Sequence, residues 1–198
     1  AGFLDLLQAT GDPVWLEQVH GTVVANADNA SCLPQADACI ARHRAAVCVV
    51  MTADCLPVLF AAPGGRGVAA AHAGWRGLAA GVLEATVGAL CDAAACAPAE
   101  LAAWLGPCIG PRQFEVGADV LEAFGAAAAH RFVARPRPDG SPRWLADLPG
   151  LARDRLAAAG VTQVSGGQGC TVEEPLRFFS FRRDGVTGRM AAAVWIRH

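Results

Sequence analysis

Residues 56–72 read LPVLFAAPGGRGVAAAH, two apolar runs of strand length on either side of Pro63-Gly64-Gly65. Short apolar runs bounded by a Pro/Gly turn signal read as buried strands, and a pair joined this closely reads as a β-hairpin. A hairpin constrains the chain strongly, because a one-residue slip would turn every side chain to the other face. With the turn centred between Gly64 and Gly65, Pro57 lies opposite His72 and Cys55 lies opposite Gly74. Cys55 and His72 then sit diagonally across the open end of one ladder, within side-chain reach. GWRG (74–77) opens a helix at that same end. Its free N–H groups favour an anion, and Arg76 adds a planar, permanently charged fork beside them. Asp54, pressed against Cys55, reads as a strand-end cap, as an orienter of His72, or as a proton acceptor.

The remaining segments alternate between the two periodicities. PVWLEQVHGTVVANA (13–27) alternates like a strand with a turn at Gly21, AAVCVVM (45–51) is a buried strand, and LAAWLG (101–106) is a strand that ends in the double turn GPCIGP. Helical spacing covers LAAGVLEATVGALCDAA after GWRG, and also residues 114–132 and 147–159. RFFSFRRDGVTGRMAAAVWI (177–196) reads as a final hairpin around Asp184-Gly185, and ARPRPDGSPR (134–143) as a proline-rich surface loop. The pattern predicts an α+β fold, a single layered domain over 1–198 with a mixed β-sheet flanked by helices.

Composition removes several function classes. A net charge of −2, with no basic stripe interleaved with aromatics, argues against a nucleic-acid partner. The softest stretch, LAAGVLEATVGALCDAAACA, carries Glu84 and Asp92, so it reads as a packed helix and not a membrane span. The opening AGFLDLLQATGD has no basic n-region and no cleavage pattern. The eight cysteines form no CxxC pair, and several, such as Cys48, lie in apolar runs where a free thiol acts as a small hydrophobe. A reducing cytoplasm is the expected compartment, and a monomer or weak homo-oligomer the expected assembly.

Two chemistries suit the open end of the hairpin. A Cys–His pair can be a nucleophile with its base. Thiolate and imidazole can instead be metal ligands, with His20 of EQVHG as the third, at a strand end just before a glycine. Two His and one Cys leave a fourth position open, the catalytic arrangement and not the closed structural one. His43, in ARHR, reads as a surface residue; His130 sits near a helix end, and His198 is the last residue of the sequence.

Taken together, VWLEQVHG, MTADCLPVLF, AHAGWRGLAAGVLEATV, AWLGPCIGPRQFEVG and FFSFRRDGVTGRM, in this order and spacing, resemble the multicopper-oxidase-like laccase-domain (YfiH) family of bacterial proteins. The resemblance runs from about Pro13 to Ile196. It implies a metal site of His20, Cys55 and His72. It also implies a phosphorylase of adenosine, inosine and methylthioadenosine that uses phosphate, with adenosine deaminase activity beside it. Zinc fits the ligand set better than copper: blue-copper sites add a weak axial ligand, and an oxidase needs further copper centres that five histidines, two of them peripheral, do not furnish. Arg76 at the helix start is the candidate phosphate holder, with Asp54, Glu115 and Arg182 as further polar candidates for substrate binding and for the general acid. The competing readings are a cytoplasmic amidase that edits cell-wall precursor peptides, a copper-dependent polyphenol oxidase, and a non-catalytic zinc-stabilised binding module. Two departures stand out. The family usually carries, ahead of the region matched, a segment with STR-x-GG that forms part of the sheet and one pocket wall, so a domain lacking it is expected. Cys108 stands where many relatives have alanine, a neutral change or a spare soft ligand.

Overall fold

A computed structural model describes residues 11–30 and 33–197 of the chain. Cys32, His198 and the opening stretch to Thr10 lie outside the described residues. Strands β5 (Leu56–Ala61) and β6 (Val68–Ala73) pair antiparallel with Pro57 opposite His72, the register that the turn signal implies. The turn is a single 3-10 turn over Pro63–Gly65, in which Gly64 and Gly65 both take positive φ (63° and 67°), a conformation that glycine adopts without steric cost.

This hairpin is the middle of a six-stranded sheet. Its order is β11 (Gln163–Gly166), β7 (Ala102–Leu105), β5, β6, β3 (Ala38–Ala41) and β2 (Val24–Asn26). The central pairings are antiparallel and the two outer ones parallel, so the sheet is mixed. Alternation along β6 sorts the core into two layers. Ala69, Ala71 and Ala73 pack in a cluster with helical residues such as Leu78, Leu83, Leu90 and Leu156. Val68 and Ala70 face the other way, against Leu16, Cys48, Val50 and Ile196. The second layer rests on a three-stranded sheet of β1 (Asp12–Val14), β4 (Ala46–Thr52) and β12 (Met190–Val194). A third small sheet joins β8 (Glu115–Val116), β10 (Trp144–Ala146) and β9 (Phe132–Ala134). The helices are α1 (Trp75–Ala80), α2 (Val82–Ala94), α3 (Ala118–Phe124), α4 (Leu148–Ala158) and the single turn α5 (Phe181–Asp184). No helix among the described residues is long and apolar enough to cross a membrane.

Four segments depart from their sequence reading. The 13–27 stretch is split: β1 pairs with β4 and β2 with β3, in different sheets. Between them the buried carboxylate of Asp37 accepts the N–H groups of Val19, His20 and Gly21, which draws the backbone out of any ladder. The helix after GWRG breaks at Gly81 (φ 103°) into α1 and α2. Residues 114–132 hold only seven α-helical residues, because α3 starts after Gly117 and ends at Gly125, and a 3-10 segment follows. The expected hairpin at 177–196 is absent. Ser180 caps α5 by accepting the Arg183 N–H, Gly185 (φ 70°) ends that turn, and β12 pairs instead with β4. Asp-Gly here closes a helical turn, where the sequence suggested a hairpin turn.

Candidate metal centre

His72 extends from β6 on the face of Val68 and Ala70 and is 3% exposed. Its Nδ1–H donates to Oδ1 of Asp37 at 2.8 Å, which leaves Nε2 as the free ring nitrogen. Asp37, at 0% exposure, also accepts the N–H of His20 on Oδ1 (2.9 Å), and those of Gly21 and Val19 on Oδ2 (2.6 and 3.2 Å). One carboxylate therefore holds the His72 side chain and the backbone that carries His20. That backbone is left-handed at His20 (φ 60°), an uncommon state for a side-chain-bearing residue, and three amide bonds to one buried acceptor hold it there.

Cys55 precedes β5, and its Sγ lies 3.8 Å from Nε2 of His20. The rings of His20 and His72 meet edge-on at 4.8 Å between centroids and 73°. One donor atom from each of the three residues lies within 4.8 Å of the others, the single cluster of three donors of this kind among the described residues. Zinc bonds at a tetrahedral angle would set donors about 3.3–3.6 Å apart, inside the 4.8 Å that bounds this cluster, so the three donors would draw in on an ion; the N, N, S set suits a borderline-soft divalent ion. Two glycines of HAGWRG make the approach possible. A Cβ on Gly74 would stand 2.7 Å from Cδ2 of His20 and 3.1 Å from Sγ of Cys55; one on Gly77 would meet the Gly21 carbonyl at 2.9 Å.

Burial pushes the carboxyl of Asp37 up, but the His72 hydrogen bond and the three amides outweigh it and hold the group below its usual range. Burial likewise raises the Cys55 thiol, yet His20 and His72 bring it down to about 7. For His72 burial favours the neutral ring, but Asp37 and Cys55 raise it to about 9. The carboxylate and the thiolate thus set two negative charges around one imidazole and favour its protonated form, so a divalent ion would bind by displacing the Nε2 proton.

The other sequence candidates fall in different places. Asp54 (φ 88°) does not touch His72: its carboxylate accepts Oγ1–H of Thr171 and the N–H of Arg182, both at 2.6 Å, while its carbonyl accepts the Ile109 N–H. It ties two loops and the turn α5 into the wall beside Cys55. The role offered for it, orienting His72, belongs to Asp37, whose only trace in the sequence is an acid at the head of the buried run ACIA. Arg76 is exposed, with its guanidinium 4.4 Å over the ring of Trp75. Arg182 donates to the carbonyl of Glu115 (3.0 Å) and flanks the ring of Phe114. Glu115 is not brought to the cluster. Its side chain pairs with Arg137 (2.6 Å), which holds its carboxyl low, in a separate depression. Cys108 is buried against Cys170 and does not line the cleft. His43 and His130 pair with Asp28 and Asp154 at the surface.

A cleft of about 620 Å³ opens over the three donors. Leu16, Met51, Trp75, Ile109, Phe114 and Phe181 give it apolar and aromatic walls; Gln18, Asp54, Arg76, Arg182 and Arg189 are its polar lining. This is the usual make-up of a small-molecule site, with flat walls for a ring system and a few convergent polar groups.

The pattern of the family described as multi-copper polyphenol oxidoreductase laccase matches residues 3–197. A purine nucleoside phosphorylase YfiH of Shigella flexneri is 52% identical over 185 residues, covering 93% of this chain and 74% of that protein. A purine nucleoside phosphorylase of Streptomyces griseus is 37% identical over 187 residues, covering 92% and 74%. Among solved structures, a Neisseria meningitidis protein of the DUF152 family superposes with a TM-score of 0.89 at 47% identity, covering 98% of this chain and 79% of its own. YlmD of Geobacillus stearothermophilus gives 0.84 at 30% identity, covering 98% and 77%.

Proposed function

This chain belongs to the multi-copper polyphenol oxidoreductase laccase family, and from that premise we propose that it is a zinc-dependent purine nucleoside phosphorylase. Adenosine, inosine and methylthioadenosine are its proposed substrates, with adenosine deamination as a side activity. The observation that carries the reading is the three-donor cluster at the floor of an aromatic-walled cleft with arginines at hand. Relatives about half identical to the chain carry the phosphorylase name. Zinc is preferred to copper because the described residues hold one such cluster, and the two other described histidines, His43 and His130, pair with carboxylates at the surface. Gln18, which also lines the cleft, is engaged at both ends by the backbone of Met51 (2.8 Å each).

When bound, the divalent ion supplies fixed positive charge at the cleft floor. The residues of the chain do the rest. Phosphorolysis joins a phosphate oxygen to the anomeric carbon as the glycosidic C–N bond breaks, and the departing purine takes up the electron pair and a proton. Trp75, Phe114 and Phe181 offer flat surfaces against which the purine stacks. Arg76 and Arg182 neutralise the incoming phosphate, Arg76 from a guanidinium steadied on Trp75. Asp37 keeps the proton on Nδ1 of His72, so that Nε2 stays directed to the donor cluster. The test is incubation with inosine with and without phosphate: hypoxanthine release that requires phosphate supports the reading.

One observation favours a second reading. A thiol brought to about 7 beside an imidazole that a buried carboxylate holds is the arrangement of a Cys–His–Asp nucleophile, suited to hydrolysing an amide such as a cell-wall precursor peptide. That activity would be indifferent to phosphate.

A further inference from the structure

Helix α2 ends in a tight cap that has no part in the site above. Ala95 takes left-handed backbone (φ 49°, ψ 56°), and across it the N–H of Cys96 donates to the carbonyl of Cys91 at 3.1 Å. This six-to-one bond folds the second residue past the helix end back over the last turn, where its side chain meets that of the acceptor residue. Here both residues are cysteine, close enough that each thiol acts electrostatically on the other. Both are half-exposed, whereas Cys39 and Cys48, also in mutual contact, are at 0%. Cys108 and Cys170, paired across an isolated bridge, are buried as well. Proximity through the cap and access to solvent therefore coincide at one pair among the described residues.

We infer that Cys91 and Cys96 form a dithiol site that a low-molecular-weight disulfide, such as glutathione disulfide, oxidises to an intramolecular bond. Burial, then Cys96 and the nearby acids Asp92 and Glu100, push the Cys91 thiol up to about 11, so Cys96 opens the exchange. Its thiolate attacks one sulfur of the small disulfide, forms a mixed disulfide and releases one glutathione thiolate. The sulfur of Cys91 then displaces the second glutathione, closing the Cys91–Cys96 bond. Two protein thiols are oxidised, one small disulfide is reduced to two thiols, and no other oxidant takes part. The cap folds Cys96 back over Cys91, the approach that closure needs.

The experiment treats the reduced full chain with excess glutathione disulfide, blocks the remaining thiols, and sequences the tryptic peptide 77–112 by fragmentation, since it carries Cys91, Cys96 and Cys108. The expected product has lost two hydrogens between positions 91 and 96, carries no glutathione, and shows slowed amide exchange at residues 94–96. In Cys91→Ser the glutathione should stay on Cys96, because nothing displaces it. Both residues being half-exposed, the serine variant should fold, and the wild-type peptide reports independently of it. An unmodified wild-type peptide, an undisplaced adduct on Cys96, or a bond to Cys108 would overturn the inference.

Discussion

Asp37 and His72 form a buried pair, carboxylate to Nδ1–H at 2.8 Å, on which the geometry of the donor cluster depends. The same carboxylate takes the amides of residues 19–21, so one group sets the positions of both histidines. Replacing Asp37 by Asn puts an NH₂ where one of these acceptors was, facing donors, and removes the charge that supports His72. Each stranded donor costs about 1–3 kcal/mol, and loss of such a supporting hydrogen bond lowers metal affinity about 10–100-fold. Competition with a chromophoric zinc chelator measures the affinity and urea denaturation the stability. Unchanged affinity in Asp37→Asn would remove Asp37 from the account.

Gly74→Ala should spare the fold core and spoil the cluster. The added methyl lands against His20 and Cys55, in a space that real Cβ contacts do not occupy, and His20 must give way. Elemental analysis of the purified variant should find well under one zinc per chain, with circular dichroism unchanged. Full occupancy would mean that the helix start has more room than its glycine suggests.

Cys55 should be the pH-sensitive thiol of the metal-stripped chain. Its alkylation by iodoacetamide should accelerate as pH rises through about 7 and slow below it, where the thiol is protonated. The Cys108 thiol, pushed up by burial, should stay slow over that range. In His20→Ala the midpoint should move upward, because one of the groups opposing burial is gone. A midpoint for wild type at the ordinary cysteine value would contradict the thiolate–imidazole pairing.

Arg76→Ala tests the phosphate assignment. Losing a charge-assisted contact of about 1.5–3 kcal/mol should raise the KM for phosphate about tenfold or more, while zinc content is retained. Steady-state kinetics at saturating inosine separates this from a loss of nucleoside binding. An unaltered phosphate dependence would return Arg76 to a solvated position on the Trp75 ring.

Much of this was legible in the sequence where a local signal was strong. Pro63-Gly64-Gly65 determines a register, and that register carries Cys55 and His72 to one ladder end. His20 was readable as a candidate from its strand-end position, but its φ of 60° was not, since that follows from a carboxylate distant in sequence. Asp37 is not legible there, because a single acid in QADACI has no periodicity and its partners come from residues 19–21 and 72. The hairpin signal at Asp184-Gly185 fails for the same reason. Arg182 gives its N–H to Asp54, and Ser180 caps the turn, so tertiary contacts override the Asp-Gly signal. Glu115 is a polar candidate that spacing alone does not rank, and Arg137 claims its side chain away from the donors.

The most direct measurement is hypoxanthine release from inosine by the zinc-loaded chain as phosphate is varied. The account expects saturable dependence on phosphate, ribose 1-phosphate formed in step with hypoxanthine, and loss of both when a chelator strips the His20–Cys55–His72 cluster. Equal release without phosphate, or full activity in the stripped chain, would contradict it.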